Sequence, residues 1–190
     1  MKLTFIFLSL VFKLSALDPI LEKSAKSGDI AAQYRIGVNL IWEGEKVEKG
    51  IYWLQKSSSS GHAQAMHMLG IIFLKGYEPH VTKDTIKGIK LLEKAARMKN
   101  FLSTQILSDI YIEGKIVDQN YNEALKWLKL LVKNHKSKFA AYDIAMLYLK
   151  GNGVKKDRET AIKWLELSAK LKSKDADKML TQIRNENNVR

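Results

Sequence analysis

The sequence predicts an all-α fold built from stacked helical hairpins. Three observations carry the prediction: a pattern that returns four times, apolar residues one helical turn apart within each copy, and a glycine punctuating each copy at the same place. The plainest copy is AIKWLELSA, at Ala161 to Ala169. ALKWLKLLV around Trp127, GIKLLEKAA around Leu91 and GIYWLQKSS around Trp53 match it. The anchors 53, 91, 127 and 164 stand 38, 36 and 37 residues apart. Upstream of each sits a second anchor: Ile36-Gly37, Leu69-Gly70, Leu107-Ser108 and Ile144-Ala145.

Each copy decodes as two helices. Ala32, Ala65, Ser103 and Ala140 lie four residues before the upstream anchors, and Leu40, Phe73, Tyr111 and Tyr148 lie four after them. Small, large and aromatic residues thus share one stripe of a first helix. Gly44, Gly76, Gly114 and Gly151 follow, where a left-handed C-terminal cap is expected. Asp157 is a candidate cap for the second helix of the last copy, which carries Ala161, Trp164, Leu165 and Ala169 on one face. Helices of this length are marginal alone, so neighbouring hairpins must stack to bury their stripes.

The ends read differently. Residues 1–16, MKLTFIFLSLVFKLSA, pair a positive start with an apolar run of ten from Leu3 to Phe12. That run is too short for a membrane-spanning helix, which needs ~20 residues. It suits the core of a signal peptide, with a cut after Ala16. Lys13 and the bulky Leu14 depart from the usual pattern, and a retained anchor or a buried first helix is the alternative. Residues 17–28 read as a capping helix, 29–172 as four hairpins (29–61, 62–99, 100–136, 137–172), and 173–190 as a closing helix with a frayed tail from Asn185.

Composition excludes several chemistries. With no cysteine among 190 residues there is no disulfide, thiolate metal site or cysteine nucleophile. Net charge is +12, but only five of the 32 basic residues are arginine, and the lysines are scattered rather than blocked. A solvated lysine surface is expected, not sequence-specific nucleic-acid recognition. No phosphate-binding loop occurs, and Gly151-Asn152-Gly153 reads as a helix–helix turn. His62 and His67 are five apart, off the spacing that puts two ligands on one helix face. Ser57 to Ser60 reads as a flexible helix end, and Glu43, Glu45 and Glu48 as solvated loop charge. No cofactor, metal or catalytic residue is expected.

The stretch AMLYLKGNGVKKDRETAIKWLELSAK, residues 145–170, resembles the Sel-1-like repeat family, a tetratricopeptide-like α-solenoid. The fourth copy keeps Ala140, Tyr148, Gly151, Gly153, Val154, Asp157, Ala161, Trp164 and Ala169 of the family pattern. The resemblance spans about residues 20–185 and implies a right-handed solenoid of about four repeats with half-repeat caps. The departures are a first inter-helix turn with five residues between Gly44 and Gly50, a two-residue insertion around Tyr77-Glu78-Pro79, and Leu91 in place of Trp. Gly28 and Gly61 close the early repeats, but Lys99, Lys136 and Lys172 stand there later. Lysine is costly in a left-handed conformation, on the order of 1 kcal/mol, so those turns are expected to take another path.

The resemblance further implies a non-catalytic adaptor that binds a peptide or protein segment on its concave face, here exported from a bacterium to the periplasm or beyond. Groove positions by this analogy are Tyr34, Val38, Trp42, His67, Ile71, Gln105, Asp109, Glu113, Tyr142, Met146 and Lys150, with packing against adjacent helices as the competing role. Two other readings stand. One is an envelope hydrolase, since cysteine-rich relatives have been described as β-lactamases; this chain lacks their cysteines and a Ser-x-x-Lys constellation. The other is contact with a polyanion or membrane surface through lysines such as Lys87, Lys90, Lys94, Lys126, Lys129 and Lys163. The partner's identity is not legible.

Overall fold

The computed structural model describes residues 19–44 and 46–188, so the leader and Glu45 lie outside the described residues. It divides into two units, Met1–Asn100 and Phe101–Arg190. The first contains α1 (Pro19–Lys26), α2 (Ile30–Glu43), α3 (Val47–Ser59), α4 (Ala63–Lys75) and α5 (Thr85–Arg97). The second contains α6 (Phe101–Glu113), α7 (Tyr121–His135), α8 (Lys138–Lys150), α9 (Arg158–Lys170) and α10 (Lys174–Asn188). No named strand occurs among the described residues; a lone bridge joins Tyr77 to Val81 in the α4–α5 turn. Among them, no helix is long and apolar enough to cross a membrane.

Within each unit every helix packs on its chain neighbours. In the first, Leu21, Ala25, Ala32, Ile36, Leu40 and Trp53 form one cluster. Val47, Ile51, Leu54, Leu69, Ile72, Phe73 and Val81 form a second. In the second unit, Leu125, Leu128, Leu131, Ile144 and Leu147 form one core, and Ala145, Ala161, Leu165, Ala176, Leu180 and Ile183 another. Trp53 and Trp127 are buried, whereas Trp164 is only half-buried.

Small residues set the distance between the two helices of a hairpin. A Cβ on Gly70 would stand 2.8 Å from Leu92 Cγ and 3.1 Å from the Gly88 carbonyl; one on Gly88 would stand 2.9 Å from the Gly70 carbonyl. Gly37 and Gly50 meet in the same way. The corresponding pairs in the second unit, Ser108 with Ala124 and Ala145 with Ala161, are all buried.

Asp157 caps its helix as expected, and two other second helices start in the same way. Asp84, Asn120 and Asp157 accept the amides of Lys87, Glu123 and Thr160 at 2.9, 3.1 and 3.0 Å. Lys46, on the short first turn, makes no such bond.

The turns between hairpins correct one expectation. Lys99, Lys136 and Lys172 adopt φ values of 63°, 52° and 68°, left-handed like Gly28 and Gly61. Hydrogen bonding explains why. The Asn100 amide donates to Ala95 O at 3.0 Å and the Lys99 amide to Ala96 O at 2.9 Å. The Ser173–Ser168 and Lys172–Ala169 bonds repeat the pair at 3.1 and 2.8 Å, as do those at Gly28 and Gly61. This double closure requires a left-handed residue. At Lys136 the closure is one residue wider, with Lys136 N donating to Val132 O at 3.0 Å and Ser137 N to Leu131 O at 3.4 Å. The next residue accepts the amide three positions on at Asp29, His62, Ser137 and Ser173, at 2.9, 3.3, 3.2 and 3.4 Å. Closing one helix and capping the next within two residues outweighs the lysine strain.

Three smaller corrections follow. Ser57 is buried, and its hydroxyl donates to Ile30 O at 2.8 Å, as Ser168 does to Lys138 O at 2.7 Å, so the serine run is a tied helix end. Glu48 lies in α3 and pairs with His80 of the α4–α5 turn. The helix expected to fray from Asn185 continues to Asn188.

Candidate functional site

The first helices of the hairpins are α2 and α4 in one unit, α6 and α8 in the other, and all eleven candidate residues lie on them. In the first unit, Tyr34 and Val38 pack against the Val47–Phe73 cluster, and Tyr34 stacks on His62 with ring centres 4.7 Å apart. His67 and Ile71 are half-buried, and burial holds His67 below the usual histidine pKa. Trp42, near the end of α2, is 81% exposed.

In the second unit, Tyr142 packs against the Ala145–Leu165 core, so part of its surface serves hairpin stacking. Met146 is half-buried and Lys150 exposed. Glu113 pairs with Lys115 at 3.0 Å. Gln105 and Asp109 line a cavity of about 90 Å³ between α6 and α8.

Helical spacing builds that cavity. Phe101, Gln105, Ser108 and Asp109 fall on one face of α6; Phe139, Ala140 and Asp143 fall on one face of α8; Leu128 and Leu131 of α7 form the floor. Phe101 and Phe139 remain 41% and 64% exposed at its sides. A second recess of about 190 Å³ continues along α6, lined by Ile106, Asp109, Ile110, Glu113, Lys115 and Ile116. Asp109 therefore stands between two recesses.

The two aspartates repel. Desolvation against the cavity wall, then the nearby Asp109 charge, push the Asp143 carboxyl up to about 6. Asp109 is raised by desolvation and by Glu113, offset in part by the neighbouring Ser108 hydroxyl. Phe101, Phe139 and Asp143 were absent from the sequence-derived set, which took positions two residues either side of each anchor and three near the ends of the first helices. Phe139 precedes the small residue Ala140 and Asp143 precedes Ile144, so the signal was an acid and an exposed aromatic one turn apart on α8.

Carboxylates, an amide, hydroxyls and phenyl rings suit recognition of a ligand by contact and charge. Among the described residues, no three histidine or acidic side chains converge as a metal site. Asp157 is a helix cap with its carboxyl held low, chiefly by Thr160.

Comparison with known proteins fits this architecture. The Sel1 repeat family model matches residues 106–134 and 138–173, and that for plant tetratricopeptide repeats matches 9–108. A sel1-like repeat-containing protein of Acanthamoeba polyphaga mimivirus is 30% identical over 143 residues, 72% of this chain. The chain spans only 25% of that relative's length. A Sel1 repeat protein from Oxalobacter formigenes superposes with a TM-score of 0.74 at 28% identity, covering 95% of this chain and 74% of that one. A protective antigen of uropathogenic Escherichia coli with an SLR fold gives 0.65 at 23% identity, over 82% of this chain and 33% of that one. The chain belongs to the Sel1-like repeat family and folds as an all-α, tetratricopeptide-like solenoid.

Proposed function

We propose that the chain is a non-catalytic adaptor that binds a peptide or protein segment on its first-helix face and works outside the cytoplasm. Sel1 repeats serve in general as protein-interaction modules. The observation that carries the reading for this chain is the pair of recesses along α6, the first of them bordered by exposed Phe101 and Phe139. Exposed aromatics beside polar groups are the usual anchors of a protein interface. The signal-peptide pattern of residues 1–16 supports export.

The test is selection of twelve-residue peptides from a displayed random library on the purified chain. Binding is then measured to Trp42→Ala and Phe139→Ala, whose exposure keeps stability nearly constant. At least one variant is expected to weaken binding tenfold or more, with little dependence on salt. Binding indifferent to both, but abolished by salt or by neutralising Lys87, Lys90, Lys126 and Lys129, would replace this reading with polyanion contact. Intact mass from fractionated cells tests export: a mass matching cleavage after Ala16 supports it, and full-length soluble cytoplasmic protein overturns it.

A further inference from the structure

The recess between α6 and α8 departs in chemistry from a lysine-rich exterior. The chain carries a net charge of +12, and lysines dominate its exterior. Here two aspartates face one cavity with phenyl rings on either side. Among the described residues, Asp143 takes part in no ion pair or hydrogen bond, and the Ser108 hydroxyl beside Asp109 donates to the Gln105 carbonyl at 2.7 Å. The nearby cations are engaged elsewhere. Lys138 donates to the Lys172 carbonyl at 3.1 Å, with its ammonium 5.2 Å from the Phe139 ring centre. Lys115 is held by Glu113 at 3.0 Å.

We propose that this recess seats a lysine or arginine side chain of the bound segment, its charge between Asp109 and Asp143 and its stem against Phe101 and Phe139. The inference rests on the first-helix binding face proposed above and names the chemistry of its occupant. Size allows it: about 90 Å³ is well above the ~10–15 Å³ that a single water needs. Charge complementarity selects the sign. Two carboxylates that repel each other gain from a cation between them, and aromatic faces attract the same cation. Two monodentate carboxylates leave a bare divalent metal far short of its ligand number, whereas an organic cation supplies its own donors.

The flanking residues add specificity. Gln105, one turn before Asp109, offers an amide to a peptide backbone. The second recess, with Ile106, Ile110 and Ile116, suits an apolar side chain next to the basic one. The expected ligand therefore carries one basic residue at a fixed distance from an apolar residue, not a polybasic run. A polybasic segment would be opposed by the surrounding lysines.

The experiment is parallel selection from the same twelve-residue library on the wild-type chain, on Asp109→Asn/Asp143→Asn and on Phe139→Ala. Circular dichroism melting confirms that each variant is folded. On wild type, selected peptides are expected to share one Lys or Arg at a fixed offset from an apolar residue. Replacing that residue by Gln should weaken wild-type binding at least tenfold. The double variant should lose the basic preference and show no such difference. Peptides that bind through Phe139 but carry no fixed basic residue, or that bind the double variant equally well, would overturn this inference and leave the first-helix face standing. Peptides indifferent to Trp42→Ala and Phe139→Ala, or no enrichment at all, would overturn both. Titration with N-acetyl-arginine amide gives a second readout. Its amide shifts should fall at residues 105–109 and 139–143, and shifts scattered over the lysine surface would contradict the assignment.

Discussion

Gly70→Ala tests the claim that small residues set the spacing inside each hairpin. A methyl at this position would stand 2.8 Å from Leu92 Cγ, 2.9 Å from Leu92 Cδ2 and 3.1 Å from the Gly88 carbonyl. Leu92 is fully buried and has nowhere to swing, and the carbonyl belongs to helix backbone. Relieving such contacts by shifting two packed helices costs about 1–3 kcal/mol. Against this, alanine is about 1 kcal/mol better than glycine inside a helix. The net expectation is a loss of ~1–2 kcal/mol, read as a lower urea midpoint at unchanged slope. A double-mutant cycle sharpens the test. Leu92→Ala alone should cost ~2–5 kcal/mol, but Gly70→Ala added to it should be neutral or stabilising, because the clashing atoms are gone. In the second unit the same position already carries a Cβ, so Ala145→Gly should cost ~1 kcal/mol. A stabilising Gly70→Ala in the wild-type background would refute the reasoning, since helix propensity would then outweigh a contact that does not bind.

Three further outcomes are expected. Lys99→Gly and Lys172→Gly should each stabilise by ~0.5–1 kcal/mol: relief of a left-handed side chain, ~1–2 kcal/mol, exceeds the added freedom of glycine when unfolded; a lower urea midpoint would contradict the strain argument. Asp143 keeps its proton up to about pH 6 when folded against 3.8 as an ordinary aspartate, so the folded state holds more protons between these values and stability falls as pH rises through them. Complete shielding would make this ~3 kcal/mol, but more than a third of the residue is exposed and solvent screening reduces it to about 1 kcal/mol. Asp143→Asn should therefore raise the melting temperature at pH 7 and have little effect near pH 4; equal effects at both would contradict the carboxyl's assignment. Trp127→Ala should cost ~3–5 kcal/mol, whereas half-buried Trp164 should cost less, about 2 kcal/mol, in paired denaturation curves.

The hairpins were legible because their determinants are local and repeated. Gly37, Gly70 and Ala145 mark one crossing point, and Asp157 marks the cap of the last second helix. The lysine turns were misread because propensity was weighed one residue at a time. The closure around Lys99 is a joint property of Ala95, Ala96 and Asn100, and its two hydrogen bonds outweigh one strained side chain. Ser57 was misread for a related reason: its acceptor, Ile30 O, is 27 residues away in sequence. The candidate site was half legible. Spacing from the anchors found Gln105 and Asp109, but Asp143 and Phe139 matter because α8 packs beside α7 and its face meets that of α6. No reading of a single helix reveals that meeting.

The central claim is that the first helices form the binding face. Amide-shift mapping of the isotopically labelled chain, titrated with the tightest selected peptide, tests it most directly. The account predicts perturbations concentrated on α6 and α8, strongest at residues 101–109 and 139–146, with α7 moved only at the floor residues Leu128 and Leu131 and α9 unmoved. Perturbations centred on the outward lysines of α7 and α9, with Phe139 and Asp143 unmoved, would contradict it.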